Sequence, residues 1–412
     1  MDGSNAAEAI VLHFQDVVRV AGETITGSID LNLRLAQEER IEKLRIKYRG
    51  VISTRITTQN GQQRITHRQT VPLIHSGEIF WETGSAFPLT ATDVISFPFH
   101  FTLPPDLPPS FHCDGHSRGG TISYALEVVG DRPGLFRSNR RLRRVFVVVP
   151  PAFENQMLVV EQLRQGWEGG WRDIKQNEQL RKGIWGEYSR AFVTLTIPDI
   201  TSLPIGVPIP FNLQIMTETK TLDRTDSPQD KHGKPIFPAL PEWAKLEINL
   251  RRRTQIRVRN RMRTVEDEYD LKGIRSPAHA NKQPVDALVD EPEWVLKEGD
   301  DKNRGFWRRR VTFNSTLAFP FAPSSTNAEI LQWFYKLHIT VPFSGLTNDL
   351  NLELAVHLGP SALLPPPPIG VAGSSSGGMT YADVVPEGRP PPMYDLPPDY
   401  WTGEHHDWDE KN

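Results

Sequence analysis

Apolar and polar residues alternate with a period of two over most of the chain. Phe97, Phe99, Phe101 and Leu103 alternate with Pro98, His100 and Thr102, and Ile122, Tyr124, Leu126 and Val128 follow the same rule. So do Phe211, Leu213 and Ile215; Leu337, Ile339, Val341 and Phe343; and Leu350, Leu352, Leu354, Val356 and Leu358. Successive side chains of a strand point to opposite faces, so each run predicts a strand buried on one side. Turn chemistry falls between the runs. Asn60-Gly61 predicts a tight hairpin, Gly22 and Gly27 bracket a short turn, and Asp131-Arg132-Pro133-Gly134 is a loop signal.

Short strands with frequent turns predict an all-β protein built of sandwiches. The strands group into two units, expected at 8–150 and 186–360. Between them, 151–185 reads as a polar linker or insert with a short helix near Leu158–Leu163. Residues 220–240 read as an exposed loop, and 264–305 as a second polar insertion. From 361 to 412 the composition changes: Pro365–Pro368 is a proline run and Gly373–Gly378 is rich in Gly and Ser. Such a segment buries too little apolar surface to fold alone and is expected to be a disordered tail.

The tail carries the most specific signal. Pro391-Pro392-Met393-Tyr394 and Pro397-Pro398-Asp399-Tyr400 are two Pro-Pro-x-Tyr motifs, the ligand type of WW domains. Paired prolines favour polyproline II, so little ordering entropy is lost on docking. The prolines fit an aromatic groove and the tyrosine a second pocket. Pro391, Pro392, Tyr394, Pro397, Pro398 and Tyr400 are therefore the expected WW-binding residues.

With 412 residues and a net charge of −3, no global field selects nucleic acid or membrane. The single cysteine, Cys113, excludes an intrachain disulfide framework and fits a reducing compartment. No apolar run approaches the ~20 residues of a membrane span, so any membrane role is expected to be peripheral. Phosphate-loop, dinucleotide, zinc-protease and nucleophile-elbow motifs are absent. Phe111-His112-Cys113-Asp114-Gly115-His116 places Cys beside His, but reads as a loop without catalytic context. No enzyme activity, metal or cofactor is expected.

Local basic runs remain. In 251–263, Arg253, Arg257, Arg259, Arg261 and Arg263 share one parity, and Ile256, Val258 and Met262 the other. A single strand would place these guanidinium groups in a row. A weaker copy is Lys43, Arg45, Lys47 and Arg49; a third cluster holds Arg137, Arg140, Arg141, Arg143 and Arg144. Arginine recognises carboxylate and phosphate bidentately, so the rows are candidate surfaces for acidic cargo or anionic lipid. The alternative is a solvated face neutralised by Glu266-Asp267-Glu268. No aromatic residues interleave with the arginines, which argues against nucleic acid.

An ordered set of strings resembles the α-arrestins, the arrestin-related trafficking adaptors of fungal type. Val20–Ile29 resembles the family's early hairpin, with Ala21 where proline is usual. Leu44–Gly50 resembles the next core strand. Phe97–Pro104 and Leu107–Phe111 are similar to the family's Phe-x-Phe and Leu-Pro stretch, and Gly120–Tyr124 and Asp131–Gly134 follow in order. The set spans roughly 10–150. Gly206–Phe211 resembles the start of a second such domain, without the usual Asn-Ser after it.

The resemblance implies two arrestin-like, immunoglobulin-like β-sandwiches in tandem. It also implies a non-enzymatic adaptor that recruits a WW-domain HECT-type ubiquitin ligase to membrane transporter or receptor cargo, promoting ubiquitination and endocytosis or endosomal sorting. Its expected place is the cytoplasm, peripherally at the plasma membrane and endosomes. The competing expectation is an arrestin-fold sorting or signalling scaffold that acts without a ligase.

Overall fold

The structure is a computed structural model. It describes residues 8–361 apart from 16, 86–92, 135–136, 184–185, 273–284, 300–302, 326–327 and 346. Both Pro-Pro-x-Tyr motifs lie outside the described residues.

The chain begins with β1 (Ile10–His13), β2 (Arg19–Val20), β3 (Thr24–Asn32) and the short helix α1 (Leu33–Glu39). The Asn32 side chain caps that helix by accepting from the Leu35 amide. Next come β4 (Lys43–Asn60), β5 (Gln63–Glu82), β6 (Val94–Thr102), β7 (Phe111–Gly115), β8 (Arg118–Asp131), β9 (Arg140–Phe146) and β10 (Val148–Val149). One sheet has the order β1-β3-β6. The other runs β5-β4-β8-β7, with β9 also on β8. Their inner faces meet through Tyr48 of β4, which stacks on Phe101 of β6 at 4.1 Å and meets Phe99 edge-on at 6.4 Å.

Asn60 pairs with Gln63, so the expected hairpin closes through Gly61, whose φ of 61° favours glycine. Gly27 is not at a turn. The turn is at Ala21-Gly22, and Gly27 lies inside β3, where an added Cβ would come 2.5 Å from the Phe99 ring and 2.6 Å from the His13 carbonyl. The loop expected at Phe111–His116 is also corrected. Phe111 and Cys113 point into the core as alternate residues of β7, and the hairpin turn comes only after Gly115. His112 projects from the opposite face toward Thr121, 3.3 Å away, so Cys113 and His112 do not face each other.

The second half begins with α2 (Glu154–Gln165), which buries Val160 and Leu163 where a short helix was expected. The strands that follow are β11 (Trp171–Arg181), β12 (Tyr188–Pro198), β13 (Leu203–Pro204), β14 (Ile209–Glu218), β15 (Leu222–Asp223), β16 (Glu247–Val258) and β17 (Arg261–Asp270). The last are β18 (Asp286–Val289), β19 (Glu293–Leu296), β20 (Arg304–Leu317), β21 (Leu331–Val341), β22 (Leu350–Val356) and β23 (Leu358–Gly359). One sheet runs β11-β12-β14-β20-β15, with β18 and β19 also on β20; the other runs β17-β16-β21-β22. Inward side chains of β12, β14 and β20, such as Val193, Leu213 and Phe313, share a core with Ile248, Leu337 and Leu352 of the opposing sheet.

Three segments that read as polar connections therefore contain strands. In β11 all residues but Ile174, Leu180 and Arg181 are exposed, because it is an edge strand. β18 and β19 are short edge strands on β20 and carry no clear alternation. Hydrogen bonding to a neighbour makes these strands, and an edge solvated on both faces leaves little hydrophobic period. The protein is thus all-β, with two β-sandwiches in tandem.

Candidate docking surfaces

Strand β8 brings the two N-terminal basic clusters onto one sheet face. Lys47 of β4 pairs with Glu127 of β8, and Glu127 pairs in turn with Arg143 of β9. Two clusters distant in sequence thus lie two strands apart. Much of the charge is answered locally: Lys43 meets Glu82 at 2.7 Å. Arg45 holds Asp131 with two contacts of 3.0 Å. Arg141 reaches Glu127 at 3.4 Å, and Arg55 pairs with Asp114. A small depression lies between Arg49, Ser123, Ala125, Glu127 and Arg143 on this face. It is small, so the face is better suited to a flat or extended partner than to a small molecule.

The arginine stripe is not one row, because the strand ends at Val258. Residues 259 and 260 form a turn in which Arg259 has φ of 54°, and β17 returns antiparallel. Val258 pairs with Arg261, Arg257 with Met262 and Ile256 with Arg263. Arg253 and Arg257 therefore project from the outer face of the hairpin, and Arg261 and Arg263 from the face of Ile256 and Val258. A continuous parity count missed the turn because Arg259-Asn260 is not a Gly-containing signal. Asn260 is the only turn-former there.

The base of this hairpin is neutralised by the acidic run that follows it. Arg251 contacts Glu268 at 3.0 Å and Glu353 at 3.2 Å; Arg253 approaches Glu266 at 3.8 Å. Glu268 would be raised by its partial burial, but hydrogen bonds from Arg251 and Asn249 hold its carboxyl below the usual range. The tip differs. Arg257, Arg259, Arg261 and Arg263 are exposed, and the structure gives them no carboxylate partner among the described residues.

The hairpin also forms the junction between the sandwiches. Thr54 of β4 donates to the Arg257 carbonyl at 2.8 Å, and the Arg259 amide donates to Gln69 of β5 at 2.5 Å. Phe111 stacks on Trp333, and Gly120 lies so close to Leu331 that a Cβ would sit 2.5 Å from its Cδ1. Beside the stack is Arg252, only 4 % exposed, whose guanidinium lies 4.9 Å from the Phe111 ring and 5.4 Å from that of Tyr269. Its Nη2 donates to Asp267 at 2.9 Å. The basic-stripe reading passed over Arg252. Its parity, shared with Ile248, Leu250, Ile256 and Val258, is the sequence signal that it points inward.

A second buried arginine, Arg309 of β20, donates through Nη2 to the Pro238 carbonyl at 2.8 Å and to that of Ile236. Burial pulls its pKa down. It fixes the 220–240 segment to the sheet through backbone oxygens, a partner that sequence does not display.

Among the described residues, no helix is long and apolar enough to cross a membrane. No group of three or more His, Cys, Asp or Glu among them is placed to hold a metal ion. Comparison with known families finds one match: residues 9–155, a little over a third of the chain, match the arrestin (or S-antigen) N-terminal domain. That span covers the first sandwich and the start of α2. It is the same region that carries the ordered strings of the sequence. No curated protein matches the chain.

Proposed function

We propose that this chain is a non-enzymatic adaptor that brings a WW-domain HECT-type ubiquitin ligase to membrane cargo, a transporter or receptor, and so promotes its ubiquitination and endocytosis or endosomal sorting. The observation that carries the reading is the pairing, on one chain, of an arrestin N-terminal domain match with two Pro-Pro-x-Tyr motifs six residues apart. The sandwiches supply the docking surfaces, with Lys43, Arg45 and Lys47 on β4 and the two faces of the β16-β17 hairpin, Arg253 and Arg257 on one, Arg261 and Arg263 on the other and Arg259 at the turn, as candidates for acidic cargo or anionic lipid. Pro391, Pro392, Tyr394, Pro397, Pro398 and Tyr400 supply the ligase contact.

Holding both partners raises the effective concentration of ligase at cargo lysines, which requires no bond-making residue in this chain. Such an adaptor works in the cytoplasm, at the inner face of the plasma membrane and on endosomes. Six residues of polyproline II span roughly 19 Å, about the width of one WW domain, so the two copies serve mainly for rebinding to a single domain.

The test is a pull-down of the full chain with the WW domains of a HECT ligase, comparing the parent with Tyr394→Ala/Tyr400→Ala. Capture by the parent that is lost in the double variant supports the ligase link. A parent that is not captured sinks it and favours the sorting scaffold that acts without a ligase.

A further inference from the structure

The long hairpin of the first sandwich leaves one backbone edge uncovered. β5 ends its sheet, and no strand among the described residues pairs with its other side. Which of its residues turn their backbone outward follows from β4. The Thr57 amide donates to the Ser117 carbonyl at 2.7 Å, toward β8 and away from β5. Bonded and open pairs alternate along an antiparallel ladder, so Arg55, Thr57 and Gln59 all turn their backbone groups away from β5. Their partners Arg68, Thr66 and Arg64 therefore turn their own N–H and C=O groups to the free edge. Pro72 stands in the same phase and has no N–H, so the free edge closes there. The side chains of Arg64, Thr66 and Arg68 leave the outer face of the ribbon, opposite to Gln69. From Lys43 to Gly77 there is no Asp or Glu. Arg68, Arg55, Gly119 and Asp114 lie opposite one another on four successive strands. Asp114 is already taken by Arg55 across Gly119, where an added Cβ would lie 3.0 Å from the Asp114 carboxylate and 3.2 Å from Arg55 Nε. Arg64 and Arg68 are exposed and meet no carboxylate among the described residues.

We propose that this edge takes up an extended acidic segment of another protein as an added antiparallel strand, with two carboxylates four residues apart on Arg64 and Arg68. Side chains of one phase repeat every ~6.8 Å along a strand, which sets the two arginines ~14 Å apart, and Asp or Glu at positions i and i+4 of a second strand matches that spacing. In the bonded pairs of an antiparallel ladder, the residue opposite each arginine exchanges both backbone bonds with it and projects its side chain to the same face. The free main-chain groups supply affinity and the arginines supply choice. Outward N–H and C=O groups in register are matched by the backbone of another strand, which a lipid headgroup layer does not offer. Charge decides which strand. A second copy of β5 would set arginine beside arginine, whereas an acidic strand gains at both positions. An edge that had only to be blunted is already stopped by Pro72, yet Arg64, Thr66 and Arg68 keep their N–H groups. This inference stands apart from the ligase reading: the two arginines are none of those assigned to cargo above, and strand addition needs no WW domain.

The experiment is fluorescence anisotropy of the full chain with a labelled octapeptide that carries glutamate at its second and sixth positions and valine or threonine elsewhere. The parent is expected to bind it saturably, and more weakly as salt rises. Arg64→Gln/Arg68→Gln should weaken binding about tenfold, the loss of two cross-strand charge pairs. Thr66→Pro removes one outward N–H without touching the β4 ladder and should weaken binding at least about tenfold. Methylating the backbone nitrogens of the two peptide glutamates, which face β5, should abolish binding. Methylating those of the third and fifth positions, which face solvent, should leave most of it. Thermal melting of each variant confirms folding. A parent that does not bind, equal loss from both methylation patterns, or undiminished binding by Arg64→Gln/Arg68→Gln overturns the proposal. So does self-association of the chain that Thr66→Pro abolishes while the peptide goes unbound, since the occupant is then a second copy.

Discussion

Phe111 of β7 and Trp333 of β21 stack with ring centroids 3.7 Å apart and planes 11° from parallel, although they belong to different sandwiches. Both are fully buried, and the Trp333 indole donates to the Pro323 carbonyl at 2.9 Å. The stack is the apolar centre of the junction, with Gly120 and Leu331 beside it.

Truncating either ring should cost about 3–5 kcal/mol, the transfer and cavity terms of a buried aromatic. The pair should also couple. A double-mutant cycle of Phe111→Ala and Trp333→Ala in urea unfolding should return an interaction of about 0.5–1.5 kcal/mol. Strict additivity would show that the two sandwiches are energetically independent at this point.

Arg252 and Asp267 are expected to behave as a buried pair. Asp267→Ala strands a guanidinium that is 4 % exposed and should destabilise toward the lower end of about 3–5 kcal/mol, since the Asp267 side chain is itself 29 % exposed. Replacing both, as Arg252→Met/Asp267→Leu, should recover most of that loss in the same unfolding measurement. A double variant as unstable as the single one would mean that the cation–π contacts to Phe111 and Tyr269, not the charge pair, hold the site.

His338 of β21 is buried on the face that carries Arg251, and burial followed by the Arg251 charge depresses its pKa below 6.5; Glu353, Glu268 and Glu247 oppose the shift. A histidine depressed in the folded state contributes stability above its unfolded pKa and loses it as pH falls through the folded pKa. Melting temperature should therefore drop as pH falls below 6.5, and His338→Gln should flatten that part of the curve. Glu268 and Glu353, both held below 4.5, add their own losses only at lower pH. An unchanged slope in the variant would remove His338 from the account.

Strands buried on one face were legible because their signal is local. Phe97-Phe99, Leu213-Ile215 and Leu350-Leu352 each report burial through their own spacing. Edge strands such as β11, β18 and β19 were not, since both of their faces are wet and the alternation vanishes. The basic stripe was legible as composition but misplaced as geometry. A turn at Arg259-Asn260 reverses the chain and sends Arg261 and Arg263 to the other face.

By itself, the sequence determined an all-β chain in two groups of strands, the Asn60-Gly61 hairpin and the presence of paired Pro-Pro-x-Tyr motifs. Each follows from residues within a few positions of one another, where side-chain period, turn propensity and proline stiffness act. Only the tertiary structure decided which charges are answered and which are free. Arg251–Arg253 meet the acids 266–268 because hairpin register brings them opposite, and Arg45 finds Asp131 because β4 pairs with β8. Phe111 reaches Trp333 because two sandwiches pack together. Charge neutralisation and desolvation depend on distance in space, and that distance is set by strand register and by the packing of sheets far apart in the chain.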